Sequence, residues 1–490
     1  MISIDWQQLL SNLSITLSVA YAITILFIAL LIILENRSPL KSISWILVIT
    51  LLPVGGIIFY IFFGQKYTIK RKYSRKEARY QQKINRLSEA QLRQLTNVNV
   101  AEINPRLREK KDIMTLLLRS DRAFLSRNHS VQLLKNGSET FYELKQALLD
   151  AKHHIHLEFY IFRFDHVGNE LFEILKQKAA EGVIIRIIYD SVGSYKMSRK
   201  KKKEAIQHGI ELKSFQKVYF PLLSSKVNYR NHRKIVIIDG KTGFTGGLNI
   251  SEKYDERRSE GLYWRDTFVK IEGKSVAALQ SIFINDWFYV TRKNIFSEEY
   301  FVELPEAEQY IGQIISSGPD ARWQAISQFY FSAITTAKES VYLGSPYFIP
   351  NDELSFALKA AALRGVDVRI LIPEKPDSIV SRWTTESYIG EMLKAGVKIY
   401  RYQKGFYHSK VLIADETLCS IGSANLDYRS LETNFEVCAV FYDENISARL
   451  SGQYLDDLKD STLLSLHDWQ KRKWYLKLVS SFARLFAPLM

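Results

Sequence analysis

Residues 232–239 read HRKIVIID, and residues 408–415 read HSKVLIAD. A chain that carries this pattern twice must also have a scaffold that presents it twice. The surroundings repeat as well. The stretch from Ala151, AKHHIHLEFYIFRFDHVGNELFEILKQKAAEGVIIRIIYDS, matches that from Ala337, AKESVYLGSPYFIPNDELSFALKAAALRGVDVRILIPEKPDS. Each gives an apolar run, a helical stretch stopped at Gly182 or Gly365, and a second apolar run carrying one Arg. Glycine after a last helical turn accepts left-handed angles cheaply, and VIIRII and VDVRILI have the character of buried strands. Each half is therefore predicted as strand, helix, strand, the unit of a parallel or mixed sheet with helices on its faces. The halves continue alike through HGIELKSF and AGVKIYRY to the His pattern, and then to GGLN and GSAN. Gly209 precedes His232 by 23 residues and Gly396 precedes His408 by 12. The excess falls near KVYFPLLSSKVNY and predicts a loop. A duplication of this extent predicts two similar α/β domains.

Within each pattern, the apolar run after the Lys predicts a strand with the His near its start. Side chains alternate across a strand. His232 and Lys234 thus share a face, as do His408 and Lys410, while Asp239 and Asp415, at an odd offset, face away. These aspartates are expected to close the strand or orient the domain without touching the reacting atom. Asn249 and Asn425, each after a Gly-rich turn, are placed to return an amide to the pocket. Together the halves supply two imidazoles, two cations and two neutral donors. That inventory suits metal-free phosphodiester transfer: one imidazole attacks phosphorus, the other protonates the leaving oxygen, and Lys and Asn hold the equatorial oxygens. One copy would lack the second histidine.

The N-terminus has another character. No residue between Asp5 and Glu35 is charged, nor any from Ser42 to Gln65. Each run is long enough to cross a hydrocarbon layer of about 30 Å as a helix, and Pro53, Gly55 and Gly56 are tolerated in such helices. The first run lacks a preceding Lys or Arg and continues past Ala20 and Ala22, which weighs against a cleaved signal peptide. Seven basic residues between Lys66 and Arg79 put the large remainder on the cytoplasmic side and would attract anionic head groups. The formal charge of +15 points to a polyanionic partner, and leaves nucleic acid and an anionic membrane both open. The same holds for RKKKK at Arg199–Lys203, which also suits a solvated helix or loop face. The C-terminal WQKRKWYLKLVSSFARLFAPLM fits a membrane-surface helix or a core-packing one. Two cysteines, Cys419 and Cys438, make neither a disulfide framework nor a zinc site.

The paired HRKIVIID and HSKVLIAD resemble the His-x-Lys-x-x-x-x-Asp signatures of the phospholipase D superfamily. The likeness runs from about Lys111 to Glu444. Within that superfamily the chain is most similar to bacterial cardiolipin synthases, through SWILVITLLPVGGIIFYIFFG, IHLEFYIF, NYRNHRK, YWRDTFVKIEG, GSANLDYRSLETNFEV and the LFAPLM end. The resemblance implies an α/β fold of two phospholipase D-like domains, preceded by a two-helix transmembrane hairpin. The expected boundaries are residues 1–65 for the hairpin, with spans at about 13–34 and 43–63, 66–110 for a basic cytoplasmic linker, and 111–295 and 296–490 for the two domains. It implies a catalytic set of His232, Lys234, Asp239, His408, Lys410 and Asp415, with Asn249 and Asn425 in support. It also implies that an acidic residue downstream of each signature, Asp266 and Glu436 by position, braces a histidine. The residues leave open which histidine attacks; superfamily habit favours His232, through a phosphohistidine, with His408 as the acid and then base.

The implied reaction moves a phosphatidyl group between two phosphatidylglycerol molecules at the bacterial cell membrane, with no cofactor, metal or nucleic acid expected. Hydrolase, membrane-tethered nuclease and non-catalytic phospholipid-binding scaffold are the competing readings. The spans, the basic surplus and a membrane-bound acceptor alcohol favour the lipid transferase. Such a transfer also requires that water be kept from the intermediate.

Overall fold

The computed structural model describes residues 6–34, 39–52, 54–60, 89–92, 108–216, 229–258, 263–304 and 309–490. The basic linker therefore lies mostly outside the described residues, as do the turn between the two apolar runs at 35–38 and the loop at 217–228. The chain forms two units, an N-terminal helical one and an α/β one.

In the helical unit, the uncharged run folds as the helix Trp6–Leu34, whose Ser14–Leu34 portion is apolar and long enough to cross a membrane. It is the one helix among the described residues that meets both criteria. The span expected at 43–63 is not continuous. The helix Pro39–Leu51 ends, Val54 takes a φ of 61°, and a short helix resumes at Gly55–Phe59. The sequence has a proline at position 53, and a proline, having no backbone N–H, does not continue a helix, which accounts for the break. The segments still pack together. Ile32, Ile49 and Tyr60 are buried against one another, and the Tyr21 hydroxyl donates to the Ile49 carbonyl at 2.8 Å.

The α/β unit carries the duplication. Its first half contributes β1 (Ser126–Lys135), β2 (His154–Phe159), β3 (Ile184–Asp190), β4 (Glu211–Phe215), β5 (Ile235–Ile238), β6 (Thr242–Gly246), β7 (Tyr263–Arg265) and β8 (Thr267–Gly273). The second contributes β9 (Tyr310–Ser317), β10 (Ser340–Gly344), β11 (Phe348–Ile349), β12 (Asp367–Pro373), β13 (Lys398–Tyr402), β14 (Gly405–Tyr407), β15 (Val411–Ala414), β16 (Leu418–Gly422), β17 (Leu426–Asp427), β18 (Glu436–Phe441) and β19 (Ser461–Leu463). Spatial order in the first half is β1-β8-β6-β5-β2-β3-β4. The second repeats it as β9-β18-β16-β15-β10-β12-β13, with β19 added at the edge. β1 pairs antiparallel with β9, so both halves share one sheet of 15 strands.

Sequence chemistry accounts for the crossovers. The parallel pairs β2–β3 and β10–β12 are linked by the helices His166–Ala180 and Asp352–Leu363. Asp165 and Asn351 cap their first turns by accepting from Gly168 N and Leu354 N. Gly182 and Gly365 stop them with φ of 90° and 93°. A side chain at either glycine would be strained. The apolar strands bury against one layer holding Ile235, Ile237, Val269 and Trp287 of the first half beside Val411, Ile413, Val437 and Ala439 of the second.

RKKKK falls on the helix Arg199–Gln207, where Lys201 pairs with Glu204 and lies over the Phe172 ring. The C-terminal helix Trp474–Arg484 buries Ser480 and Ala483 and leaves Trp474, Leu478 and Phe482 exposed. Arg484 fastens it to the helix Ile379–Lys394, donating to Glu391 at 2.8 Å.

Candidate active site

The two histidine segments dock crosswise. β14, just before His408, pairs in parallel with β7, just before Asp266, and His408 N donates to the Arg265 carbonyl at 2.7 Å. In the matching place Asn231 bridges Phe435, and His232 N donates to the Phe435 carbonyl at 2.9 Å. Each backbone contact sets a histidine beside the other half's carboxylate. His408 Nδ1 lies 2.6 Å from Asp266 Oδ2, and His232 Nδ1 lies 3.3 Å from Glu436 Oε1. An ionised carboxylate only accepts, so each Nδ1 carries hydrogen and each Nε2 is left for the substrate. The acidic residues downstream of the signatures thus lie against histidines, each against that of the opposite half.

The lysines fold back over their own histidines. Lys234 Nζ donates to the His232 carbonyl at 2.6 Å, and Lys410 Nζ donates to that of His408. Burial, only partly offset by Glu436 and Asp266, lowers Lys234 to about 8. Burial lowers Lys410 to about 7, with Asp266 opposing and Lys234 adding to the fall. Burial and the Lys410 charge push His408 down to about 3. Burial raises Glu436, yet His232 and Lys234 outweigh it and hold that carboxyl below its ordinary value. The Lys234 charge reaches both Lys410 and His408 of the other half, and buried cations gathered beside imidazoles are what a phosphodiester anion would neutralise. Aromatic rings wall it: Tyr160 stands 4.3 Å from His232, and Trp264 stands 4.9 Å from His408, centroid to centroid.

Asp239 and Asp415 sit at the far ends of β5 and β15, both with positive φ. Asp239 accepts from the main-chain nitrogens of Lys152, His153 and His154 at 2.8–2.9 Å. Asp415 does the same for Lys338, Glu339 and Ser340, and pairs with Lys110 at 3.0 Å. Each ties the strand that follows its histidine to the start of the neighbouring strand. Asn249 accepts from Ile161 N at 3.0 Å and donates to the Tyr254 hydroxyl at 3.2 Å. Asn425 donates to Asp427 at 3.2 Å, and its buried oxygen has no partner among the described residues.

Other residues at the site escaped the sequence reading. Ser423 Oγ donates to Glu436 Oε2, whereas at the matching Gly247 a Cβ would stand 2.1 Å from Asp266 Oδ1. The difference between GSAN and GGLN was the signal. Arg233, fully buried, pairs with Asp286 and donates to the Glu436 and Ser317 carbonyls at 3.2 Å. It sits between His232 and Lys234, so alternation puts it on the opposite face.

Two histidines, each oriented by a carboxylate from the opposite half of a duplicated α/β scaffold, define a phospholipase D-like protein. A family model described as cardiolipin synthase, PLD-like domain, matches residues 144–287 and 330–458. A second, phospholipase D-nuclease N-terminal, matches residues 22–65. A cardiolipin synthase of Alkalihalophilus pseudofirmus is 40% identical over 97% of this chain and 94% of its own. Cardiolipin synthase 2 of Bacillus anthracis is 41% identical over 96% of this chain and 91% of its own. The chain belongs to the cardiolipin synthase family. A solved phosphatidylserine synthase of Haemophilus influenzae Rd KW20 shares the fold at a TM-score of 0.60 and 14% identity, covering 79% of this chain and 100% of that one.

Proposed function

We propose that this protein makes cardiolipin by transferring a phosphatidyl group from one phosphatidylglycerol to another, with release of glycerol. The crossed pairs His232–Glu436 and His408–Asp266 carry the reading, and membership of the cardiolipin synthase family supports it. In the first step His232 Nε2 attacks phosphorus while the bond from phosphorus to the glycerol oxygen breaks, and His408 gives that oxygen a proton. In the second, His408 removes the proton from the acceptor's hydroxyl, whose oxygen displaces the imidazole. Protons balance over the cycle. The shorter Asp266 contact suits His408 to proton transfer. A phosphodiester lodged between Lys234 and Lys410 would cancel the lysine charges that add to burial in holding His408 down, and so raise its pKa.

The α/β portion divides at 111–295 and 296–490, after a linker at 66–110. The helices before residue 60 enter and return through the cell membrane as two spans, with the basic residues from Lys66 and the catalytic halves at the cytoplasmic face. Three observations support this: the apolar helix, the packed return segment and the charge asymmetry.

Purified protein incubated with labelled phosphatidylglycerol is expected to yield cardiolipin and glycerol. Phosphatidic acid alone would mean a hydrolase, and DNA cleavage without lipid turnover a nuclease. No turnover of either would leave a scaffold. In His408→Ala the phosphatidyl adduct should accumulate on the peptide containing His232, read by mass spectrometry. An adduct found only on His408, in His232→Ala, would reverse the roles.

A further inference from the structure

Near His408 lies one cation that the mechanism does not use, Lys253, and a second, Arg163, lies within electrostatic reach of it. Lys253, in the short turn Glu252–Tyr254, holds its ammonium 4.7 Å from the Tyr254 ring centre and 4.8 Å from that of Trp264. Trp264 is the ring that stands against His408. Arg163 follows β2, and its one hydrogen bond among the described residues is from main-chain N to the Ile250 carbonyl at 3.0 Å. Its Nε is buried without a partner. No described carboxylate lies within ion-pair distance of either side chain. Each cation is close enough for Arg163 to depress Lys253 further, after burial itself, with Asp377 opposing. Asp377 is taken up by the Tyr347 hydroxyl at 2.8 Å.

Two half-buried cations that repel each other and lack a protein counter-ion are stabilised by a bound anion. The reaction supplies one. The donor's phosphorus sits between the two histidines, and the acceptor carries a second phosphodiester one glycerol's length from its attacking hydroxyl. His408, which takes the acceptor's proton, shares the Trp264 wall with Lys253. Resting on the transferase reading above, we propose that Arg163 and Lys253 form the subsite for the acceptor lipid's phosphodiester. The pair selects an anionic lipid alcohol over neutral alcohols as the group that receives the phosphatidyl chain.

The test follows two products of the full-length protein in phosphatidylglycerol vesicles. One is cardiolipin. The other is phosphatidylglycerol formed by exchange with labelled glycerol, an acceptor without phosphate. Monoacylglycerol serves as a third acceptor, lipidic but neutral. In Arg163→Gln and Lys253→Met the ratio of cardiolipin to exchange should fall at least about tenfold, with transfer to glycerol and monoacylglycerol within about twofold of the parent. Lys253→Arg should restore the ratio. A parallel loss of all three products, or an unchanged ratio, overturns the subsite. Inorganic phosphate, which competes for the same pair, should lower the parent's ratio and leave that of the variants unchanged; an equal effect on parent and variants overturns the subsite too. A parent protein that forms neither product overturns the transferase reading itself, and the parent's own inactivity tells that failure apart.

Discussion

Gly247 and Ser423 hold the same place in the two halves, but a different acid stands before each. In front of Ser423 the longer Glu436 leaves room for a hydroxyl that donates to it. In front of Gly247 the Asp266 carboxylate fills the space. Gly247→Ala must therefore push Asp266 away from His408 Nδ1. We expect turnover to fall about 10²-fold or more, with the folded fraction kept, measured as kcat alongside circular dichroism. Wild-type kcat in that variant would refute the orienting role of Asp266. His232, Lys234, His408 and Lys410 were legible because an apolar run after each Lys betrays a strand and alternation then fixes the shared face. The crossed bracing was not. His408 and Asp266 are 142 residues apart, and a three-residue pairing of β14 with β7 brings them together.

At the scale of the element, the signature aspartates work on main chain. Asp239→Ala removes the acceptor of three N–H groups that start β2. It should cost about 2–4 kcal/mol in denaturant unfolding and leave the rate per folded molecule largely intact, unlike His232→Ala. A loss of turnover without a loss of stability would contradict this. The odd offset of Asp239 in HRKIVIID already implied such a role.

β2 also carries a pH-dependent load. His154 and His156 are buried with Gln280, Arg186 and Tyr300 around them, and the His153 ring reaches His154 at 2.8 Å. Burial, aided by neighbouring positive charge, lowers His154 to about 4 and His156 well below its usual value. Below pH 6.5 the unfolded chain takes up protons that the folded chain refuses, so stability is present above 6.5 and drains away as pH falls toward 4. Each ring contributes a slope of about 1.4 kcal/mol per pH unit in that window. His156→Gln should flatten the fall between pH 6.5 and 5 by that amount, seen in unfolding midpoints. Parallel slopes would remove the histidines from the account. In the sequence, AKHHIHLEF showed an apolar strand but not the buried surroundings of its imidazoles. The apolar run from Ser42 likewise hid its break, because composition measures apolarity while Pro53 acts on backbone hydrogen bonding.

For the whole molecule, the repeat announced two similar halves. It did not announce one sheet, since nothing in SRNHSVQLLK or YIGQIISS marks β1 and β9 as partners. Their pairing, with the apolar layer behind it, joins the two halves whose histidines and acids cross, and the proposed mechanism needs both histidines of one chain at one site. Mixing His232→Ala and His408→Ala proteins should therefore restore no turnover above either alone, and recovered activity would indicate exchange of halves between chains.

The crossed contacts also bear on descent. In each half the histidine reaches into the other for its orienting acid, and the reciprocal contacts are of the same kind: a main-chain N–H to a carbonyl and an imidazole to a carboxylate. A progenitor with a single copy would have lacked any acid within its own fold for its imidazole. It would have had to work as a symmetric pair of identical subunits, each completing the other. Gene fusion would then have freed the two copies to diverge, into Asp beside Gly on one side and Glu beside Ser on the other.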